Sequence, residues 1–169
     1  MGIQTFNGAA SRGKLAVLRE FIEAGVDRRG HGVNDRMPST GFFPLGGAVW
    51  RDNIPAARML LDAGAYVNRR TKCGWTPLYI AVWRRNIRMV RELIRRGANP
   101  NTHTKPDYNS PDGYTPLHLA ARNGDVTIAG VLVGAGARTH TKDGMGDTPA
   151  RTAARVGHFS LACDLGGLK

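Results

Sequence analysis

The chain is ruled by a repeating interval. Thr76-Pro77-Leu78, Thr115-Pro116-Leu117 and Thr148-Pro149 open successive similar stretches, and Phe43-Pro44-Leu45 is a degraded earlier copy. Pro44, Pro77 and Pro116 each stand 20 residues before a glycine, at Gly64, Gly97 and Gly136. A recurring unit of this size cannot bury its own apolar face, so its copies must stack on one another into a solenoid. Such a stack presents a long surface to another molecule.

Within a unit, Leu78, Ile80, Ala81 and Val82, then Ile87, Met89, Val90, Leu93 and Ile94, fall at helical spacing in two short runs, which predicts two antiparallel helices. Thr76 suits a cap that accepts from the free amides of the first turn, and Pro77 suits the first helical position, where its missing N–H costs nothing. Gly97 suits the left-handed residue that ends the second helix. The same logic predicts helices over about 44–51 and 55–63, and over 116–122 and 127–134. In the first unit Thr5 takes the proline place, Ala9-Ala10 form the small pair and Gly25 lies 20 residues on, as in an N-terminal cap. The last unit keeps Thr148-Pro149, Ala153-Ala154, Gly157-His158 and Phe159 but is expected to stop before its second helix and glycine are complete. It reads as a shortened C-terminal cap or a cut edge.

A length of 169 residues with 41% hydrophobic side chains suits one domain with a continuous core. No apolar run reaches the roughly 18 residues that mark a membrane span, and no signal-peptide pattern opens the chain. A soluble intracellular protein, cytoplasmic or nuclear, is the expectation, with export as a host-directed effector left open. Cys73 and Cys163 form neither a CxxC pair nor a disulfide framework, so reduced thiols are expected. The net charge of +11 attracts acidic proteins, nucleic acid or anionic membrane without selecting among them.

The stretch from Gly113-Tyr114 through Gly124-Asp125 to Gly136-Ala137, with Thr115-Pro116-Leu117-His118-Leu119-Ala120-Ala121 inside it, resembles the ankyrin repeat, whose period is about 33 residues. The resemblance covers nearly the whole chain in about five units, 1–34, 35–70, 71–105, 106–142 and 143–169, the first and last acting as caps. It implies one domain, an all-α repeat solenoid of helix-turn-helix units joined by β-hairpin or loop fingers. The proline places are spaced by 39, 33, 39 and 33 residues. With the helical part constant, each excess of six must lie in a connecting loop, at about 26–42 and 98–114. Two fingers are therefore expected to be longer than usual, and Asn34-Asp35 and Pro106-Asp107 supply turn formers there. Phe43 for threonine, Tyr79 or Arg151 in the place of His118, and Arg85 for glycine depart from the family pattern.

The resemblance further implies that fingers and inner helices form a concave binding face. Phe42, Trp75 and Tyr114 precede the Thr-Pro places, with Asp147 breaking the series, while Trp50-Arg51, Trp83-Arg84, Arg122 and Arg155 stand at the ends of inner helices. In the family's register these side chains point into the groove. Tryptophan, tyrosine and arginine dominate binding energy more than other types, which makes these nine residues the candidate partner-binding set. The competing reading has the rings filling gaps between adjacent units. Arg88, Arg91, Arg95 and Arg96 line an outer helix, ordinarily a solvated face. Arg28, Arg29, Arg69, Arg70, Lys72, Lys105, Arg138 and Lys142 spread along the fingers and favour an acidic, extended ligand.

Chemistry of other kinds is absent from the pattern. His118 belongs to the signature and reads as a residue that ties turns together, while His31, His103 and His140 on the fingers lack cysteine or carboxylate at metal-ligand spacing. No metal or other cofactor is implied. No nucleophile with a base at recognisable spacing and no phosphate-cradling GxxxxGK[ST] occurs, so catalysis is not expected. The leading expectation is a monomeric, non-catalytic scaffold that captures an acidic or acidic-hydrophobic segment of a partner protein. The alternatives are single-stranded nucleic-acid binding through the basic surface, and a regulatory fragment of a larger enzyme.

Overall fold

The computed structural model describes residues 5–26, 30, 32–36, 41–105 and 113–166. Ten helices form among them, in five antiparallel pairs: α1 (Phe6–Arg12) with α2 (Leu15–Ala24), α3 (Pro44–Trp50) with α4 (Ile54–Asp62), α5 (Pro77–Trp83) with α6 (Ile87–Arg95), α7 (Pro116–Asn123) with α8 (Val126–Gly134), and α9 (Pro149–Arg155) with α10 (Phe159–Gly166). The five-unit stack is thus an all-α repeat. α10 has eight residues against nine in α4, α6 and α8, so the last unit comes closer to completion than its sequence suggests.

Capping follows the sequence signals. The Thr76, Thr115 and Thr148 hydroxyls accept from the amides of Tyr79, His118 and Arg151, and a proline opens each helix behind them. Thr5 stands at the proline's register but acts as the cap itself, accepting from the Gly8 amide at 3.1 Å, so α1 starts one residue later. The outer helices α4 and α6 use Asn53 and Asn86 in the same way. Where an inner helix ends, Asp52 and Arg85 occupy the left-handed region that Gly13, Gly124 and Gly157 fill elsewhere. Arg85 keeps a function there, forming a forked ion pair with Asp125 of the next unit at 2.6–3.1 Å.

Packing between units runs through one repeated small residue. Ala9, Ala48, Ala81, Ala120 and Ala153 hold the same register and are buried, so each inner helix lies close against the next, from α1 on α3 through to α7 on α9. Leu45, Leu78 and Leu117, with Leu60, Leu93 and Leu132 from the outer helices, thread one continuous apolar core through the joints. Full burial of each such side chain contributes about 1.5–3 kcal/mol.

Polar ties repeat as well. The Asn34, Asn68 and Asn101 side-chain amides donate to the carbonyls of Gly64, Gly97 and Gly136, and their oxygens accept from the amides of Tyr66, Asn99 and Arg138. Each asparagine thereby fastens its unit to the one that follows. The fingers close with a common bond, from the amides of Thr71, Thr104 and Asp143 to the carbonyls of Trp75, Tyr114 and Asp147, each 2.9 Å. The closing pairs are four residues apart in the first and last cases and ten in the middle one, which places the six additional residues inside the finger between Lys105 and Gly113. Residues 106–112 of that finger, and 27–29, 31 and 37–40 of the other long one, lie outside the described residues.

Candidate partner-binding site

The inner helices deliver their last residues to one face. Trp50 ends α3 and Trp83 ends α5, both half-buried, each followed by an exposed arginine, Arg51 or Arg84. Phe42 packs edge-on against Trp50 at 5.8 Å between ring centroids, and the Arg84 guanidinium lies over the Trp50 ring at 5.9 Å. Trp83 in turn rests on Trp75 at 5.4 Å. The result is an aromatic strip across units two and three, bordered by cations, with a cation–π contact at its centre.

Two of the rings expected in the groove are instead inside the stack. Trp75 is 9% exposed and Tyr114 only 1%. The cause is local: the residue two before the proline lies on the residue two after it, Trp75 on Tyr79 at 5.4 Å and Tyr114 on His118 at 5.2 Å. Burial pushes the Tyr114 phenol above its ordinary pKa, so it remains neutral. In unit two the residue two after the proline is Gly46, whose backbone Phe42 approaches so closely that a Cβ would sit 3.1 Å from its ring. Phe42 therefore covers the backbone and turns its edge to Trp50, staying half-exposed. The packing reading holds for Trp75 and Tyr114, and surface exposure for Phe42, Trp50 and Trp83.

The arginines divide in the same way. Arg155 is paired with Asp147 at 3.2 Å and also donates to the Met145 sulfur, while Arg151 stands 3.5 Å from the same carboxylate. Asp147 occupies the ring place of the last unit, so part of the positive charge at that end of the face is offset internally. Arg84 reaches Asp52 at 3.4 Å, and Arg122 is exposed on α7. Arg12 and Arg51 make no ion pair among the described residues and face water at the other end. Unpaired positive charge and exposed rings thus concentrate on units one to three.

Two hollows adjoin there, about 360 Å³ against Phe42, Trp50 and Gly47 and about 540 Å³ against Thr5, Gly8 and Arg12, sharing Asn7, Ser11 and Arg51. Asn7, Ser11 and Gly47 do not stand out as functional residues in the sequence. Their one signal is register: Ser11 holds the place of Trp50 and Trp83, and Gly47 that of Ile80 and Leu119.

Elsewhere the candidate chemistry resolves into structure. His118 is fully buried; its Nδ1 accepts from the Thr115 amide, completing a capping box, and its Nε2 donates to the Asp147 carbonyl of the next unit at 3.0 Å. Burial lowers its pKa, against a smaller upward pull from that carbonyl. On the fingers the Arg36 guanidinium donates to the Arg70 carbonyl at 2.8 Å, and that of Arg70 donates to the carbonyls of Gly74 and His103. Arg70 is therefore a tie between fingers. Lys72, Lys105, Arg138 and Lys142 remain exposed, and Arg28, Arg29 and His31 lie outside the described residues. No group of three His, Cys, Asp or Glu among the described residues is placed to hold a metal ion. No helix among them is long and apolar enough to cross a membrane.

A stack of helix pairs with fingers at one edge and a strip of rings and guanidinium groups on its inner helices defines a repeat protein built for recognition by surface. Comparison with protein families agrees: the model described as ankyrin repeats (3 copies) matches residues 6–104, and that described as ankyrin repeat matches 112–144. The chain belongs to the ankyrin repeat family, whose repeats mediate protein–protein interaction and are typically non-catalytic. No curated protein matches the chain.

Proposed function

We propose that the chain is a protein-binding scaffold whose inner face, at units one to three, captures an acidic segment of a partner that also carries apolar side chains. The observation that supports this most directly is the strip of Phe42, Trp50 and Trp83, half-exposed and flanked by Arg51 and Arg84. Rings bury large area at low entropic cost, and arginine forks match carboxylates, so the pair of chemistries fits acidic-hydrophobic segments. Tyr114 and Trp75 contribute by holding the finger bases in place, and Arg155 only after surrendering Asp147.

The test compares the native protein with Trp50→Ala plus Trp83→Ala in quantitative capture of partners identified by mass spectrometry, with helicity checked by circular dichroism. An anchor of this kind contributes about 2 kcal/mol or more, so recovery should drop more than tenfold at unchanged helicity. Undiminished recovery would remove the inner face from consideration. Labelled single-stranded oligonucleotides are the control for the charge-only alternative, and binding at low salt that ignores both substitutions would favour it.

A further inference from the structure

The solenoid is not uniform along its inner face. At the place where α3 and α5 end in Trp50 and Trp83, α1 carries Ser11, and where α5 and α7 carry Ile80 and Leu119, α3 carries Gly47. Two large side chains are missing at one joint, and the about 360 Å³ hollow lies there. Gly47 presents bare backbone, over which the Asn7 side chain lies so closely that an added Cβ would meet its Oδ1 at 1.9 Å. The Ser11 hydroxyl donates to the Asn7 carbonyl at 2.6 Å, and neither the hydroxyl oxygen nor the Asn7 side-chain amide has a further hydrogen-bond partner among the described residues. On the far wall the Phe42 and Trp50 rings meet edge to face, and Arg51 stands at the mouth.

We infer that this hollow is a pocket for one aromatic side chain of a partner segment, a tyrosine fitting best, with a carboxylate beside it in the segment pairing with Arg51. This rests on the inner-face reading above and assigns that face its anchor point. The pocket's size suits a single ring more than a ligand that fills a whole cleft. A ring entering it completes the edge-to-face set with Phe42 and Trp50, an arrangement aromatic side chains favour. A phenolic hydroxyl reaches Ser11 and Asn7 as donor or acceptor, so the polar end of a tyrosine is satisfied where that of an aliphatic residue has none. Charge complements the choice: Arg12 and Arg51 make no ion pair among the described residues, whereas at the opposite end of the face Asp147 offsets part of the charge of Arg151 and Arg155.

The experiment fills the pocket with a side chain the fold already uses at that register. Ser11→Trp places in α1 the ring that α3 and α5 carry, and an unchanged melting temperature shows that the stack is intact. Fluorescein-labelled peptides of glutamate and serine, with one central tyrosine or an alanine in its place, are titrated by anisotropy. The native protein is expected to bind the tyrosine peptide about tenfold tighter than the alanine peptide, and Ser11→Trp is expected to erase that preference. A preference that survives Ser11→Trp places the ring elsewhere and overturns the pocket. Equal binding of both peptides, weakened by Trp50→Ala plus Trp83→Ala, also overturns the pocket while the inner face stands. If neither peptide binds, both readings fall.

Discussion

Glu92 joins the outer helices of the two units that carry Trp50 and Trp83, and replacing it with glutamine tests whether that joint is electrostatic. Its side chain is only 5% exposed, and its oxygens accept from Arg95 at 2.6 Å, Arg58 at 3.1 Å and Arg96 at 3.2 Å. Burial alone would raise the carboxyl pKa, but the hydrogen bonds and charges of Arg95 and Arg58 outweigh it, and the group is held below its ordinary value. The cover is thin, since Arg58 and Arg95 are 57% and 63% exposed. Each of those two pairs is therefore worth an exposed bridge, about 0.2–1 kcal/mol. Glutamine keeps the volume and one acceptor and sheds the desolvation cost of the charge, so Glu92→Gln should cost about 1 kcal/mol. In a chain of this length that corresponds to a melting temperature lower by roughly 2–4 °C. A depressed carboxyl contributes stability above its unfolded pKa of about 4.3, and that contribution disappears as pH falls through the folded value. Thermal melts of both proteins at pH 7 should thus differ, and the gap should narrow as pH falls below about 4.3. An equal melting temperature at pH 7, or a gap of the same size in acid, would refute the argument.

Two further outcomes follow from the joints. His118, neutral and depressed by burial, contributes stability that is present above about pH 6.5 and is lost as pH falls through its folded pKa, because protonated Nδ1 can no longer accept from Thr115; melting temperature should decline between pH 7 and 5, and less so in His118→Gln. Gly47→Ala should lower the melting temperature by displacing the Asn7 side chain, and adding Asn7→Ala should restore most of the loss, a coupling that a double-mutant cycle measures; strictly additive effects would show that the two do not touch.

The pairing of helices and their capping threonines were legible, because each depends on local chemistry repeated at fixed register. What escaped depends on contacts between places. Trp75 and Tyr114 looked exposed by position, yet each is drawn inward by a flat partner, Tyr79 or His118, that follows Pro77 or Pro116. Phe42 stays out because Gly46 offers no such partner, a difference visible in the sequence only once the stacking pair is known. Arg155 looked available until Asp147, eight residues earlier, folded back on it. The asparagines at 34, 68 and 101 recur once in each of the first three units, but a polar finger residue gives no hint of its bond across the joint. Asn7, Ser11 and Gly47 mark a site by being small where neighbours are large, so only alignment of units against one another would have shown them.

Each of the linking asparagines grips only the unit immediately after it, so cohesion in this molecule is handed on link by link, like a zip. Loss of order should begin at the two extremities and travel inward. Trp50 and Trp83, lying in interior links, keep their mutual spacing while the ends fray, whereas the Ser11 hollow lies on the first link and would be the earliest feature to dissolve.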